Sequence, residues 1–448
     1  MRRPVITFAA TLAAAGLALT ACSSGGGGGD ATDDAGAGDG TSAGEATPDA
    51  TPVTITLTWW GNEDRAAMYE EAVDLFEEKY PYITVQTSWQ AFSDYWTARN
   101  TEAAGSALPD VMQFDSTFLR EYAQSGRLLD LTELVADGDI DLSGVDPALV
   151  DGVSLDGETL GIPTGTNTLG MFVNPTVLEQ VGLDFPADGY TWEEYNDYVQ
   201  QVADAGVKTA DGYQIYGSGD YTGTFWFFLQ WLVQQGVEPF TDDGQIGFTQ
   251  DDVVTWLDSV KDLRDGGAFF PVDRNVALSP KGGFTVNEVG SEASWDNFLA
   301  TYTAETGTDS LELVPIWSGE DGTQNFFRAF MMAAGANTEH PEATALLLNF
   351  FASEPEVGAI FGTSKGIPAD EEQRAAVDAP EGSVDAKVIA YEEAVRETGS
   401  VATAPIPVLG FGTVEEKWKQ LGEELDYGTI TAQEFAEQWF AEAELAVG

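Results

Sequence analysis

The 448-residue chain contains one cysteine and one histidine. Cys22 alone allows no internal disulfide and no cysteine metal cluster. With His340 as the sole imidazole, at the start of a helix in "TEHPEA", His-rich zinc sites and Cys or His catalytic triads are excluded. Basic residues are scarce too: 19 Lys and Arg face 75 Asp and Glu, a net charge of −56. Such a surface repels phosphate backbones, so nucleic acid is a poor partner, and it argues against a polyanionic ligand. The acidity reads as a solubility device suited to a salty medium that screens self-repulsion. No carboxylate cluster stands out as a cation site, and no metal or cofactor is expected. Past Cys22 no run of about 18 apolar residues reads as a membrane span, and no short repeat is present.

What the first fifty residues do contain is an address. Arg2 and Arg3 precede a mostly apolar run from Val5 to Leu19, which ends in "LTAC". Residues 1–21 read as a secretory signal peptide, and "LTAC" looks like a lipobox, with lipid attached at Cys22. Residues 22–52, beginning at the lipidated cysteine, are mostly Gly, Ala, Thr, Ser and Asp with no Lys or Arg, and cannot bury enough surface to fold. They form a flexible tether. The expected location is extracytoplasmic, on the outer face of the cell membrane, held by lipid alone.

The part from residue 53 is long enough for two domains. Val53, Ile55 and Leu57 alternate with Thr54, Thr56 and Thr58, which predicts a strand. Trp59 and Trp60 end it, and alternation sends their rings to opposite faces. Met68, Ala72, Leu75 and Phe76, with the Lys79 stem, predict a helix over 63–80 stopped by Pro81. "YITVQTSWQ" is a second strand, helix resumes over 89–99, and "LPDVMQFD" is a third strand ending at Asp115. This order predicts an α/β fold with a largely parallel sheet, whose ligands bind beyond the carboxyl ends of the strands. Trp60 and Asp115 lie at two such ends. "TLGMFVN" (168–174) predicts another strand. Thr191/Glu194, Thr249/Asp252 and Thr431/Glu434 have capping-box spacing, and 339–353 predicts a long apolar helix.

Aromatic residues gather beside Asp, Asn, Thr and Gly, as in "GDYTG" around Tyr221, "ASWDN" around Trp295, and "WSGEDG". Rings match the C–H faces of sugars, and polar side chains match their hydroxyl edges. A Trp in an α/β domain is nevertheless more often core, and "FWFFLQWL" reads as core except at its beginning. Catalytic signals are weak. A glycosidase carboxylate pair stays open because 75 acids supply endless pairs and single out none; the chain is not read as an enzyme.

The stretches "LTWWGNEDRAAMYEEAVDLFEEKYP", "LPDVMQFDSTFLREYAQSGRLLDLTEL", "GIPTGTNTLGMFVNPTVLEQVGL", "GSEASWDNF" and "HPEATALLLNFFASEPEVGAIFGTSKGIP" resemble, in order, the extracellular solute-binding proteins of ABC sugar importers, the maltose-binding-like group. The resemblance implies two α/β lobes joined by crossing strands, with ligand in the cleft between them. Lobe one would be 53–160 plus 315–360, and lobe two 161–314 plus 361–448. Carried over by matched segment, the cleft would be lined by Trp60, Asn62, Glu63, Phe114, Asp115, Asn167, Thr168, Tyr221, Trp295, Asp296, Asn297 and Phe411. At the last position Trp418 is the competing choice. The resemblance and Gly61 choose Trp60 over Trp59 as the cleft-facing ring. "LSPKGGFTVNEVG" departs from relatives, so the loop before Trp295 is expected to be displaced.

The reading that follows is a monomer that captures a neutral mono- or oligosaccharide by lobe closure and delivers it to an ABC permease. The alternatives are an extracellular glycoside-acting enzyme, or the same fold binding a cationic solute such as a polyamine. For the anchor, Cys22→Ala is expected to release the protein from the membrane fraction into the medium or to leave an unprocessed precursor. Unchanged fractionation and mass would refute it.

Overall fold

In β1 (Val53–Trp60), Ile55, Leu57 and Trp59 are completely buried, as the alternation requires. The structure is a computed structural model that describes residues 51–187, 189–241, 243–279, 281–319, 325–399 and 401–447. The signal peptide, Cys22 and all but the last two tether residues lie outside the described residues. β1 pairs in parallel with β2 (Ile83–Gln90) on one side and β3 (Val111–Phe114) on the other. The helix Glu63–Lys79 starts at Asn62, whose side chain accepts the Arg65 N–H at 3.0 Å. It buries Ala66, Tyr69, Ala72, Val73 and Phe76, while Met68 and Leu75 are only partly covered. The buried stripe is thus rotated from the expected one, and Lys79 pairs with Glu354 at the surface. The next helix begins at Phe92, because Trp89 stays in β2 opposite Trp59.

β4 (Ser154–Leu155) and β5 (Glu158–Thr159) make a small hairpin. β6 (Ile162–Val173), β7 (Ser291–Trp295), β8 (Glu312–Val314), β9 (Asn325–Ala334) and β10 (Val401–Thr403) join the main sheet. Its order is β2-β1-β3-β9-β6-β7, with β10 beside β9 and β8 beside β6. The first three strands are parallel, as expected, but β9 runs antiparallel to both β3 and β6, and β7 antiparallel to β6. All three expected capping boxes form. The apolar helix spans Pro341–Ser353 with proline in its first turn. Among the described residues no helix is long and apolar enough to cross a membrane.

The buried residues separate into two large clusters, which define two lobes. The first runs from Ile55 to Ile162 and from Phe327 to Ala369. The second holds Leu169 to Phe269, Ile316, Trp317, Phe326 and Ala404 to Ala443. A smaller third cluster joins Phe172, Phe284 and Tyr302 to Ile367 and Val388. Ile316, Trp317 and Phe326, which the sequence expectation assigned to lobe one, pack in lobe two. β6 passes from one cluster to the other, since Ile162 belongs to the first and Leu169 to the second. β9 crosses back between Phe326 and Phe327. β6 is six residues longer at its start than the expected strand, and all twelve of its residues are buried.

A strand buried on both faces has no alternation to read, and its edge must still be satisfied. At Thr166 the loop 366–367 does this: Thr166 N–H donates to the Ile367 carbonyl at 2.7 Å, and Ile367 N–H returns the bond at 2.9 Å. The approach is close enough that a Cβ on Gly366 would lie 2.2 Å from the Thr166 oxygen, and φ there is +87°. Glycine is required on both counts.

Trp59 stacks on Tyr69, with centroids 4.2 Å apart and planes at 17°. Trp59→Ala would leave a cavity between β1 and its helix, at a cost of about 3–5 kcal/mol. The expected outcome is a lower denaturant midpoint with an unchanged slope; an unchanged midpoint would contradict this packing.

Candidate functional site

The two lobes meet over the crossing strands along an aromatic seam. On the lobe-one side, Trp60 lies among Phe92, Trp96 and Phe330 at 5.4, 6.0 and 5.5 Å. Trp96 in turn stacks on Phe118 at 3.8 Å. On the lobe-two side, Trp226 meets Trp295 edge to face at 5.7 Å. Between the walls stands Arg328, which β9 sets opposite Asn167 of β6. Its guanidinium lies 4.9 Å from the Trp295 ring centre and 5.6 Å from that of Trp226. Asp115 reaches it from lobe one at 3.5 Å.

A turn and a helix border this polar centre. Asp115 follows β3 and caps a short 3-10 turn, accepting the Thr117 N–H at 2.9 Å, which leaves its other oxygen for Arg328. Glu415 comes from lobe two, on the helix Phe411–Asp426. Burial pushes its carboxyl up to about 7; Arg328 pulls the other way, and Asp115 adds to the rise. The seam also carries a direct bond between lobes, from Arg120 Nε to the Pro407 carbonyl at 3.2 Å.

Between the start of the helix Glu63–Lys79 and the segment after β7 lies a cavity of 590 Å³, lined from lobe one by Asn62, Arg65 and Ser364 and from lobe two by Asn297, Phe298 and Thr301. Arg65 donates to the Ser364 carbonyl at 2.6 Å. Phe298 is one of the few large apolar side chains left exposed.

The expected site residues divide by where their side chains lie. Asn62 and Asn297 face each other's lobe across the cavity. Asp115 and Trp295 meet at Arg328, and Trp295 is part-exposed. Glu63 is exposed in the first turn of its helix. Trp60 faces away from Trp59, but at 8% exposure it is enclosed by its neighbours and is not a bare platform. Asn167 and Asn297 each carry a buried side-chain oxygen without a hydrogen-bond partner, as does Thr168. Unpartnered buried acceptors are costly, and a ligand rich in donors would satisfy those that face the cleft.

The other positions belong to the core. Phe114 packs on Trp96 and Tyr122. Tyr221 donates to Asn196 at 2.7 Å within a group containing Trp192, Tyr195 and Trp317. Phe411 sits against Phe225, Trp226 and Phe240, and its competitor Trp418 is fully buried. Thr168 and Asp296 have no exposed surface. Asp296 faces Glu392, and burial followed by that like charge raises its carboxyl well above the usual range. These side chains shape the walls from behind.

Arg328, Glu415 and Trp226 were not singled out as site residues in the sequence. Trp226 had a signal, since it stands second in the apolar run whose beginning was excepted from the core reading. Arg328 stands in "NFFRAFMMAA", where a lone charge in an apolar run marks a position that faces something other than core. Glu415 is one acid among 75 and had no signal.

The bacterial extracellular solute-binding protein family matches residues 71–386. A lactose-binding protein from Rhizobium radiobacter is 25% identical over 203 residues, which cover 44% of this chain and 45% of that protein. The chain therefore spans less than half the length of this curated relative. Among solved structures, a periplasmic solute-binding protein from Pectobacterium atrosepticum superposes with a TM-score of 0.75 at 20% identity, covering 88% of this chain and 100% of that one. A periplasmic oligogalacturonide-binding protein from Yersinia enterocolitica, in complex with saturated digalacturonic acid, gives 0.73 at 19% identity, covering 88% and 98%. Crossing strands, a cleft between two lobes and a match over most of the folded chain agree: the chain belongs to the bacterial extracellular solute-binding protein family.

Proposed function

We propose that the protein captures a mono- or oligosaccharide outside the cytoplasm by closing its lobes over it, and presents it to an ABC permease. The observation that carries this reading is the Trp226–Trp295 pair facing Asp115 and Arg328 across the seam, which offers ring faces beside hydroxyl-binding groups. The named specificity of the lactose-binding relative supports a sugar, and the family supports an extracellular site of capture. Trp60, Asn62, Glu63, Asp115, Asn167, Trp295 and Asn297 are the proposed contacts. Phe114, Thr168, Tyr221, Asp296 and Phe411 support them from the core. Lipid at Cys22 tethers the chain, as a monomer, to the outer face of the membrane.

One observation favours a second reading. Glu415, raised to about 7 near Asp115, meets the first requirement for a glycoside-cleaving acid. Incubation with a labelled oligosaccharide separates the two: intact sugar after hours supports capture, and cleavage overturns it.

Calorimetry against a sugar panel that includes lactose tests the site. Trp295→Ala removes a ring face and is expected to cost about 1–3 kcal/mol, or about 5- to 150-fold in affinity. Asp115→Ala is expected to cost as much through lost charge-assisted hydrogen bonds. Trp60→Ala should lower both affinity and stability, because its ring backs the wall. Full affinity in a folded Trp295→Ala protein would remove the platform from this site. Saturating sugar is also expected to reduce the radius of gyration modestly, and an unchanged radius would count against closure.

A further inference from the structure

The segment that carries Trp295 carries a second ring. Asp296, Asn297 and Phe298 form one 3-10 turn, with Trp295 as its N-cap residue. Three residues of such a turn rise about 6 Å, the scale of one pyranose ring. Trp295 meets Arg328 at the seam. Phe298 lines the 590 Å³ cavity and is 42% exposed. Its ring is backed by Tyr302, with centroids 5.7 Å apart and planes at 32°. Tyr302 is itself fixed by donating to Glu292 at 2.6 Å.

We propose that this cavity is a second subsite, in which Phe298 takes one ring of an uncharged oligosaccharide whose neighbouring ring lies at Trp295. The inference rests on the sugar-capture reading, and narrows its ligand from a sugar of any length to one of at least two rings.

The cavity has the size and the lining for this. Its volume falls within the roughly 300–1,000 Å³ of small-molecule sites. From lobe two, the Asn297 side-chain oxygen is buried without a hydrogen-bond partner, and a sugar hydroxyl would supply the missing donor. From lobe one, Asn62 uses its side-chain oxygen to cap the helix through Arg65 N–H, which leaves its amide NH2 to donate. Arg65 is held in place by one bond, from Nη2 to the Ser364 carbonyl at 2.6 Å, and its other N–H groups remain as donors. A ring face, an acceptor and two donors thus line one space, and they come from both lobes. A second sugar ring adds contacts to each lobe and so favours the closed form.

Charge selects the kind of ring. Asp64, Asp378 and Asp385 line the cavity against the Arg65 guanidinium. Asp385 accepts the Thr363 N–H at 3.1 Å and also the Thr363 hydroxyl, which ties that carboxylate to the loop without cancelling its charge. A uronic acid in this subsite would meet repulsion, whereas a ring bearing only hydroxyls would not.

Calorimetry on the whole chain tests this with a panel of neutral disaccharides that includes lactose, each beside its component monosaccharides, and with digalacturonic acid. Phe298→Ala is expected to weaken disaccharide binding about 5- to 30-fold and to leave monosaccharide binding unchanged. Phe298→Tyr keeps the ring and is expected to restore the disaccharide. Trp295→Ala is expected to weaken both. Tyr427→Ala removes another exposed ring outside the cavity and is expected to weaken neither. Unchanged disaccharide affinity in Phe298→Ala overturns the subsite and leaves sugar capture standing. Equal losses for disaccharide and monosaccharide overturn the two-ring ligand. Tighter binding of digalacturonic acid than of any neutral disaccharide overturns the uncharged ligand. Failure of every sugar to bind the wild-type chain overturns sugar capture, and the subsite with it.

Discussion

The antiparallel pairing of β6 with β9 is the constraint on which the rest depends. Both strands leave one hydrophobic cluster and enter the other, so the lobes share one sheet and cannot slide apart. Relative motion must come from bending or twisting those strands, which moves the lobes without refolding them. Side chains on the strands then act as a fixed floor, while those on either lobe approach or recede. Arg328 and Asn167, set opposite each other, belong to the floor. The floor is held from behind as well: Tyr391 donates to the Leu169 carbonyl at 2.5 Å, and Gly170 leaves room for that tyrosine ring.

Charge is distributed in keeping with this frame. With 19 basic residues to 75 acidic, cations are scarce, and several arginines are placed where they join separate segments. Arg264 ties Asp220 to its own helix at 2.6 Å, and Arg274 grips Glu288 at 2.6 Å. Arg396 bonds Glu392 at 2.8 Å and reaches Asp146 at 3.0 Å. Arg328 differs in lying between two tryptophans and across the seam. In a strongly negative protein, a guanidinium there reverses the local field where hydroxyl oxygens need a donor. Lys365 shows the other use of a scarce cation. Its amine is buried 3.7 Å from the Phe361 ring centre, and burial followed by the Arg65 charge takes its pKa well below the usual range.

How much of this could be read from the sequence depended on whether a signal was local. Strand β1, its helix and the three capping boxes are patterns within short stretches of chain, and these elements form where they were read, although the helix buries a rotated stripe. β9 carries no such pattern: "NFFRAFMMAA" is apolar on both faces, and without that strand the position of Arg328 has no meaning. The first half of β6 is "IPTGTN", interrupted by Pro163 and Gly165, and it is a strand because its neighbours satisfy its backbone. At the cleft, composition marked aromatic residues without distinguishing wall from core. Tyr221 and Phe411 stand in sugar-site-like contexts and pack inward, while Trp226 stands in a core-like context and meets Arg328. Asp115, Arg328 and Glu415 are separated by 213 and 87 positions along the chain, so only the folded chain brings them together.

Two adjacent tryptophans show how the cleft depends on the core behind it. Trp59 is locked against Tyr69, which fixes the end of β1, and alternation then directs Trp60 the other way. The Trp60 ring is held by Phe92, Tyr95, Trp96 and Phe330, so the lobe-one wall is in place before any ligand arrives. Trp295 has a similar brace in Trp226, whose edge contact holds the ring upright. Its face is not idle, because the Arg328 guanidinium covers it. A sugar that stacks on Trp295 must share or displace that cation. Displacement gives up a cation–π contact worth about 0.5–2 kcal/mol. The face is therefore protected from water while empty, and binding becomes an exchange of one partner for another. Ligands that give Arg328 a new acceptor as they take its place on the ring recover that loss, which couples ring stacking to hydrogen bonding at this site.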